Sequence, residues 1–328
     1  MTRWGIIGTG KIACAFAEAL RVVENSHVVA IGSRSRESAA RLAKFVPDAR
    51  VHLSYERLVR DDAVDVVYVA TPHTEHRAAT LLALENGKSV LCEKPFAVNH
   101  SEATQMVQAA RERKLFLMEA MWTRFTPAMR EAVRLVKDGV IGRPRSLVVD
   151  LGWYSEPDPS HRLRNMELGG GALLDIGVYP VSLAHLLFGR PVNVVAASTR
   201  AVTGADEQTG AVLTHGAGEL TSFACTIQAD SPAHATLLGT HGHISIDRFY
   251  NPTSFEVLRN GDEPVRHEFP HRGNGMEHEA EEVSRCLAAG LLESPLMTLE
   301  ETLSIMAVMD EIRSRIGLRY PADMIPVG

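Results

Sequence analysis

The sequence predicts an α/β protein in two parts, a doubly wound parallel sheet followed by an α+β domain with a mostly antiparallel sheet. Three observations carry this prediction. The first third alternates short β-branched runs with helical stretches. A glycine-rich turn joins the first strand to the first helix. After about Met121, strand-like runs follow one another without helices between them. A chain of 328 residues exceeds one ordinary core, so two domains are expected, 1–121 and 122–328.

In the first part, strands are expected over residues 4–7, 28–31, 64–70 and 89–92, and helices over 12–23, 38–45, 76–86 and 101–112. Gly87 stops the third of these helices. The second part begins with a helix over 126–137, a strand over 147–154 and an apolar helix over 172–187. Strands follow over 192–202, 210–215, 221–229, 235–238 and 243–246, then 254–259 and 265–269 flanking an Asn260-Gly261 turn. Helices over 276–289 and 299–316 end the pattern. No repeat, low-complexity segment or flexible linker is visible, so the boundary near 121 rests on the change of rhythm alone.

Composition narrows the class. A net charge of -6 argues against a nucleic-acid surface and gives no general pull toward anionic membranes. Cys14, Cys92, Cys225 and Cys286 are scattered without a CxxC pair, which suits a reducing cytoplasm and neither a disulfide framework nor a zinc site. The apolar stretch at residues 4–7 is too short for a signal peptide, and no run is expected to reach bilayer length. A cytoplasmic protein with no nucleic-acid or membrane partner is expected.

The cofactor signal is Gly8-Thr9-Gly10-Lys11-Ile12-Ala13, a GxGxxA between strand and helix. Gly8 permits the tight turn, Gly10 lets backbone approach a pyrophosphate, and Ala13 allows close helix–strand packing. The helix start, from Thr9 through Lys11 and Ile12, offers N–H groups to phosphate. The alternative is a Gly-rich turn with no ligand. The second strand ends Ile31-Gly32-Ser33-Arg34-Ser35-Arg36, with no carboxylate before Glu37. An acid there would hold the ribose 2′-hydroxyl of NAD; Ser33 and Arg34 instead suit a 2′-phosphate. NADP is therefore expected over NAD, and Arg36 is read as a solvated residue.

The chemistry signal has two pieces. Glu93-Lys94-Pro95 directly follows a strand, at the strand ends that line the ligand crevice, and Pro95 is a residue type that admits a cis peptide. Lysine there places an ammonium beside a nicotinamide; the alternative is a surface lysine. Asp175 and Tyr179, four apart after Gly169-Gly170-Gly171, share a helix face. Tyrosine, with a free pKa of about 10, is a poor base alone, and an ammonium such as that of Lys94 lowers that value. The alternative for this pair is a buried core helix. His73 and His76 lie three apart, but no partner completes a metal motif, so no metal is expected.

Together, Gly8-Thr9-Gly10, Ala70-Thr71-Pro72, Glu93-Lys94-Pro95 and Asp175-x-x-x-Tyr179 resemble the Gfo/Idh/MocA oxidoreductase family, in order and over essentially the whole chain. The family commonly carries histidine where this chain has Tyr179. Tyrosine there, with Glu119 to Phe125 and Gly169 to Gly177, is similar to the branch of dimeric dihydrodiol dehydrogenases and NADP-dependent D-xylose dehydrogenases. The resemblance implies a Rossmann domain, then an open-faced sheet that binds substrate and makes a homodimer or higher oligomer. It implies Tyr179 as acid/base with Lys94 as its partner, and Asp175, His73, His76 and Trp122 around nicotinamide and substrate. It adds Ala70, Thr71, Pro72 and Glu93 to the cofactor set and sets Arg34 on the 2′-phosphate. A second arginine found four residues later in some relatives is absent, since that position is Ser38. The expected substrate is a polyhydroxylated small molecule, a sugar, polyol or trans-dihydrodiol. Rival readings are an inositol or anhydro-sugar dehydrogenase, or a non-catalytic NADP-binding regulator. Trp153 and Arg162 flank a Pro-rich loop at 155–168 that reads as a lid, and the 273–276 loop between His271 and His278 is a further candidate for substrate contact.

Overall fold

A computed structural model describes residues 1–324. Strands β1 (Thr2–Ile7), β2 (Ser26–Gly32), β3 (Arg50–His52), β4 (Val66–Val69), β5 (Ser89–Glu93) and β6 (Leu117–Ala120) form one parallel six-stranded sheet in the order β3-β2-β1-β4-β5-β6. The strand order reverses between β1 and β4, which opens the crevice where such sheets bind ligands. Val66–Val69 is buried at every position, as a strand covered on both faces requires. Helices α1 (Lys11–Ala19), α2 (Arg36–Ala43), α3 (Tyr55–Val59), α4 (His76–Glu85) and α5 (His100–Arg113) connect the strands. Ser35, Ser54 and Asn99 cap α2, α3 and α5 by accepting from the N–H groups of Ser38, Arg57 and Glu102. Helix α1 differs: its N-cap is Gly10, with no side chain to occupy the leading N–H groups. Strands β3 and β6 and helix α3 were not foreseen; at three to five residues each they show no readable period.

The second part contains α6 (Pro127–Lys137), capped by Thr126 with Pro127 in its first turn, and β7 (Pro144–Gly152). A π-helical turn, Leu173–Gly177, leads into α7 (Val178–Phe188). Then come β8 (Asn193–Arg200), β9 (Asp206–Thr214), β10 (Leu220–Thr226), β11 (Ala235–Gly239), β12 (Gly242–Ile246), β13 (Ser254–Arg259) and β14 (Val265–Glu268). They form an eight-stranded sheet, β14-β13-β12-β11-β7-β10-β9-β8, antiparallel except where β10 meets β7. Its strands alternate in burial. Leu147, Val149, Leu213, Phe223, Leu237 and Ile244 point into the core, where Met129, Val133 and Leu183 of α6 and α7 meet them. Val148, Val195, Val212 and Leu238 stand on the other face, exposed.

Two expectations are corrected here. Helices α8 (Glu277–Ala288) and α9 (Leu299–Ile316) follow β14, and the division into 1–121 and 122–328 gave both wholly to the second domain, which holds only for α9 from Ser304 onward. The first compact unit instead comprises Met1–Trp122 together with His271–Leu303; the second comprises Thr123–Pro270 and the chain from Ser304 onward. Leu117 in β6 donates its N–H to the carbonyl of Leu292 (3.1 Å), and Ser26 shares a hydrogen bond with Ser284 (3.1 Å), which is why the later segment belongs with the first sheet. Second, Met166–Phe188 is long and apolar enough to cross a membrane, contrary to the expectation that no run would be. Its apolar window is 78% buried within the protein, so its side chains serve a core.

Candidate active site

The dinucleotide turn is built around Gly8. Its φ is +97°, and a Cβ there would lie 2.3 Å from the carbonyl oxygen of Ala70. Gly8 donates its N–H to Gly32 (3.2 Å) and Ala70 donates to Ile7 (2.8 Å), so the turn is fastened between the ends of β2 and β4. Thr71 and Pro72 continue that strand end, with Thr71 buried. A Cβ on Gly10 would meet nothing within 4 Å. Gly10, Lys11 and Ile12 are exposed and Thr9 is half-buried, so the uncapped start of α1 faces open space. An anion fits there, because leading N–H groups and the helix dipole both favour it.

Ser33 lies deeper than expected. Its hydroxyl donates to the carbonyl of Ser35 (3.0 Å), accepts from the Ser35 N–H (3.2 Å), and sits 3.2 Å from Thr9 Oγ1. The hydroxyl proton expected for a phosphate is engaged in the turn. Arg34 is exposed, with its guanidinium 5.4 Å above the ring of Tyr55 and 3.7 Å from Glu75. Neither neighbour was visible to the sequence reading, since both lie outside the β2 turn. Burial, partly offset by Arg34, raises the Tyr55 phenol, so the ring under Arg34 stays neutral.

The Lys94–Pro95 peptide is cis, and Lys94 is half-buried at the end of β5. Glu93 accepts the Tyr68 hydroxyl and the Lys94 N–H (3.1 Å). Burial first, then Glu93, holds the Tyr68 phenol well above its usual range. Glu279 of α8 is fully buried, and burial together with Glu93 pushes its carboxyl well up. Phe96 donates its N–H to Glu119 (3.2 Å), tying the turn to β6.

His76 is held by backbone on both ring nitrogens. It is fully buried, with Nδ1 2.9 Å from the carbonyl of Pro95 and Nε2 3.0 Å from that of Thr71. It bolts the β4 loop to the Lys94–Pro95 turn. Two carbonyl contacts would suit an imidazolium, but burial, then His73, pushes the pKa down to about 3, and burial prevails. His73 is buried beside it, ring to ring at 5.7 Å. Below a pH of 6.5 the unfolded chain protonates this imidazole while the folded chain refuses the proton until about 3. Stability is therefore expected to fall as pH drops through that window, by about 1.4 kcal/mol per unit for this group at full effect. Thermal melts across the window, with His76→Asn showing a shallower slope, measure it. Trp122, half-buried, ends the first of the two segments that make up the first unit.

In the second unit the glycine run serves the protein's own packing. A Cβ on Gly170 would come within 2.6 Å of the Arg162 carbonyl, and one on Gly171 (φ +137°) within 2.2 Å of Asp206 Oδ1. Asp206, raised by burial, accepts from the Leu173 N–H (2.8 Å) and the Thr209 hydroxyl (2.7 Å). Tyr320 donates to the Gly170 carbonyl (2.8 Å). These contacts fix the start of the π-helical turn that carries Asp175. Asp175 is buried and accepts both guanidinium arms of Arg162, at 3.1 and 3.2 Å, a bidentate pair. Tyr179, one turn on and also buried, stands edge-on to Tyr250 at 6.1 Å, and Tyr250 meets Trp153 at 6.3 Å. Arg162 and Trp153 thus join this cluster. Tyr250 and Asp206 were missed, because only tertiary contacts reveal them. The 155–168 loop expected as a lid is laced to itself: Arg164 donates to the carbonyls of Glu156 (3.0 Å) and Ser155 (2.8 Å) and pairs with Glu207.

Comparison with known proteins gives this arrangement a lineage. Residues 2–121 match the oxidoreductase family with NAD-binding Rossmann fold, GFO_IDH_MocA, and residues 129–245 match the GFO/IDH/MocA C-terminal domain. The chain is 38% identical over 335 residues to trans-1,2-dihydrobenzene-1,2-diol dehydrogenase of Xenopus laevis, covering 98% of this chain and 99% of that one. It is 35% identical to the human protein of the same name, with 98% of each covered. Among solved structures, KijD10, a 3-ketoreductase from Actinomadura kijaniata in complex with NADP and TDP-benzene, superposes with a TM-score of 0.87 at 27% identity, covering 96% of this chain and 98% of that one. Aldose-aldose oxidoreductase from Caulobacter crescentus gives 0.84 at 27% identity, with 96% and 97% covered. With both halves matched and full-length relatives well above 30% identity, the chain belongs to the GFO/IDH/MocA family of oxidoreductases.

Proposed function

We propose that the protein is an NADP-dependent oxidoreductase that transfers hydride between the nicotinamide and a secondary alcohol or carbonyl of a sugar, polyol or trans-dihydrodiol. The observation that carries this reading is the buried Asp175 and Tyr179 pair, on a chain that also presents an uncapped GxGxxA helix. Relatives named as dihydrodiol dehydrogenases along the full length support the substrate class, and the NADP complex of KijD10 supports the cofactor.

The cofactor, when bound, supplies hydride acceptance and donation. Its phosphates fit the open start of α1, and its 2′-phosphate fits Arg34. Tyr179 exchanges the substrate hydroxyl proton at its phenolic oxygen. The Lys94 ammonium favours the phenolate and the developing alkoxide. Asp175, clamped by Arg162, orients the hydroxyl, and a fixed orientation supplies part of the acceleration.

A screen of aldoses, inositols and dihydrodiols with NADP and with NAD, read by NADPH absorbance, tests the reading; a preference for NAD overturns the cofactor assignment. Arg34→Ala is expected to weaken NADP binding roughly 10- to 100-fold, the worth of a charged hydrogen bond, and to leave NAD binding nearly unchanged. Fluorescence titration of NADPH and NADH measures both.

The protein is further proposed to work as a homodimer through the open face of the eight-stranded sheet. Val148, Val195, Val212 and Leu238 are exposed on that face, on four of its strands. Sedimentation is expected to find a dimer, and Val148→Asp a monomer. Its four cysteines are all free, which supports a cytoplasmic setting.

A further inference from the structure

The geometry points to a divalent-cation site formed by His271, Glu277 and His278, at the loop that enters α8. The three residues each offer one donor atom, and these atoms lie within 4.8 Å of one another. His271 Nδ1 and His278 Nε2 are 3.3 Å apart, and His278 Nε2 lies 3.7 Å from Glu277 Oε1. Two nitrogens bound at about 2.0–2.1 Å to one tetrahedral metal are separated by about 3.3–3.4 Å, so the imidazoles already stand at the edge length of such a site.

The surroundings suit ligation. Glu277 is fully buried, and its carboxyl is held in place by the N–H groups of Gly273 (2.8 Å) and Gly275 (2.7 Å). His278 is largely buried, with its Nε2 turned toward His271 and Glu277. Its other ring nitrogen, Nδ1, is 3.8 Å from Glu281. Glu281 itself accepts from Arg272, so a negative charge stands behind the ring without a hydrogen bond to it. The loop has a fixed path, because Asn274 donates to the carbonyl of Ala15 in α1 (2.8 Å). Two nitrogens and one carboxylate oxygen, with a fourth position left for water, suit zinc or cobalt(II) and not calcium or magnesium. The sequence does not announce this cluster, because His271-x5-Glu277-His278 matches no standard ligand spacing.

The same 3.3 Å separation also suits an N–H···N hydrogen bond between two neutral rings, and one titration separates the two. Full-length protein is freed of metal with a chelator and titrated with cobalt(II), read by visible absorption. One cobalt(II) per chain is expected, with the intense band of a tetrahedral ion, displaced by zinc. His271→Ala and His278→Ala are each expected to weaken binding at least about 100-fold. His271 is a half-exposed loop residue, so metal-free His271→Ala keeps the wild-type melting temperature, and zinc raises the melting temperature of the wild type alone. No saturable band, or a band with unchanged affinity in both histidine variants, overturns the site.

Discussion

Tyr179→Phe is expected to lower turnover by about 10²- to 10⁴-fold, the usual worth of a positioned acid/base. Fold and cofactor affinity should survive. Phenylalanine fills the same volume in a site where Tyr179 is only 5% exposed, and the ring contact with Tyr250 at 6.1 Å needs no hydroxyl. The melting temperature and NADPH titration therefore stay at wild-type values while the rate constant for the chemical step collapses. Single-turnover kinetics with a substrate from the screen read this directly. The pH profile adds a second signature: the limb that reports the phenol disappears, and residual activity becomes nearly flat. Wild-type turnover in the variant removes Tyr179 from the chemistry and leaves it as a core aromatic.

Gly8→Ala should have an effect of comparable size through the backbone. At φ +97° an alanine is strained by about 1–3 kcal/mol. Its Cβ also meets the Ala70 carbonyl at 2.3 Å and the Thr71 nitrogen at 3.0 Å, and neither is a flexible side chain. The turn cannot slide away without breaking the Gly8–Gly32 and Ala70–Ile7 hydrogen bonds. A total near 3 kcal/mol corresponds to a melting temperature lower by roughly 4–5 °C in a chain of this size, together with loss of cofactor binding. Gly10→Ala is the informative companion. A Cβ there touches nothing within 4 Å, so stability holds, and only the approach of a pyrophosphate is hindered. Melting curves and NADPH titrations on the two variants separate strain from occlusion.

The sequence made legible what repeats or punctuates. Helix α9 is matched residue for residue, and the GxGxxA turn is in place. Short elements escaped: three residues at Arg50–His52 and five at Tyr55–Val59 carry no periodicity. The missing α3 had a cost at the site, because it supplies the Tyr55 ring under Arg34. Glu75 escaped for a related reason. A cofactor-reading carboxylate is expected at the end of β2, whereas this one arrives from the segment after β4. His76 illustrates a further limit. Its residue type suggests chemistry, but two backbone carbonyls, neither encoded by residue type, make it a buried tie. The glycine run was rightly read as a close approach. Its partners, the Arg162 carbonyl and Asp206, belong to the chain itself, and spacing carries no information about them.

The return of His271–Leu303 to the first unit sets a rule for dissecting this polypeptide. A fragment ending at Trp122 would keep all six parallel strands but lack α8, so the hydroxyl of Ser26 and the amide of Leu117 would lose their partners. Exchanging the nucleotide-binding portion for that of a relative requires three junctions, near residues 122, 270 and 303, and the last falls inside the continuous helix α9. Chimeras made with a single crossover would pair one protein's sheet with another's buried helix, and a library of relatives recombined at one point should yield few soluble members.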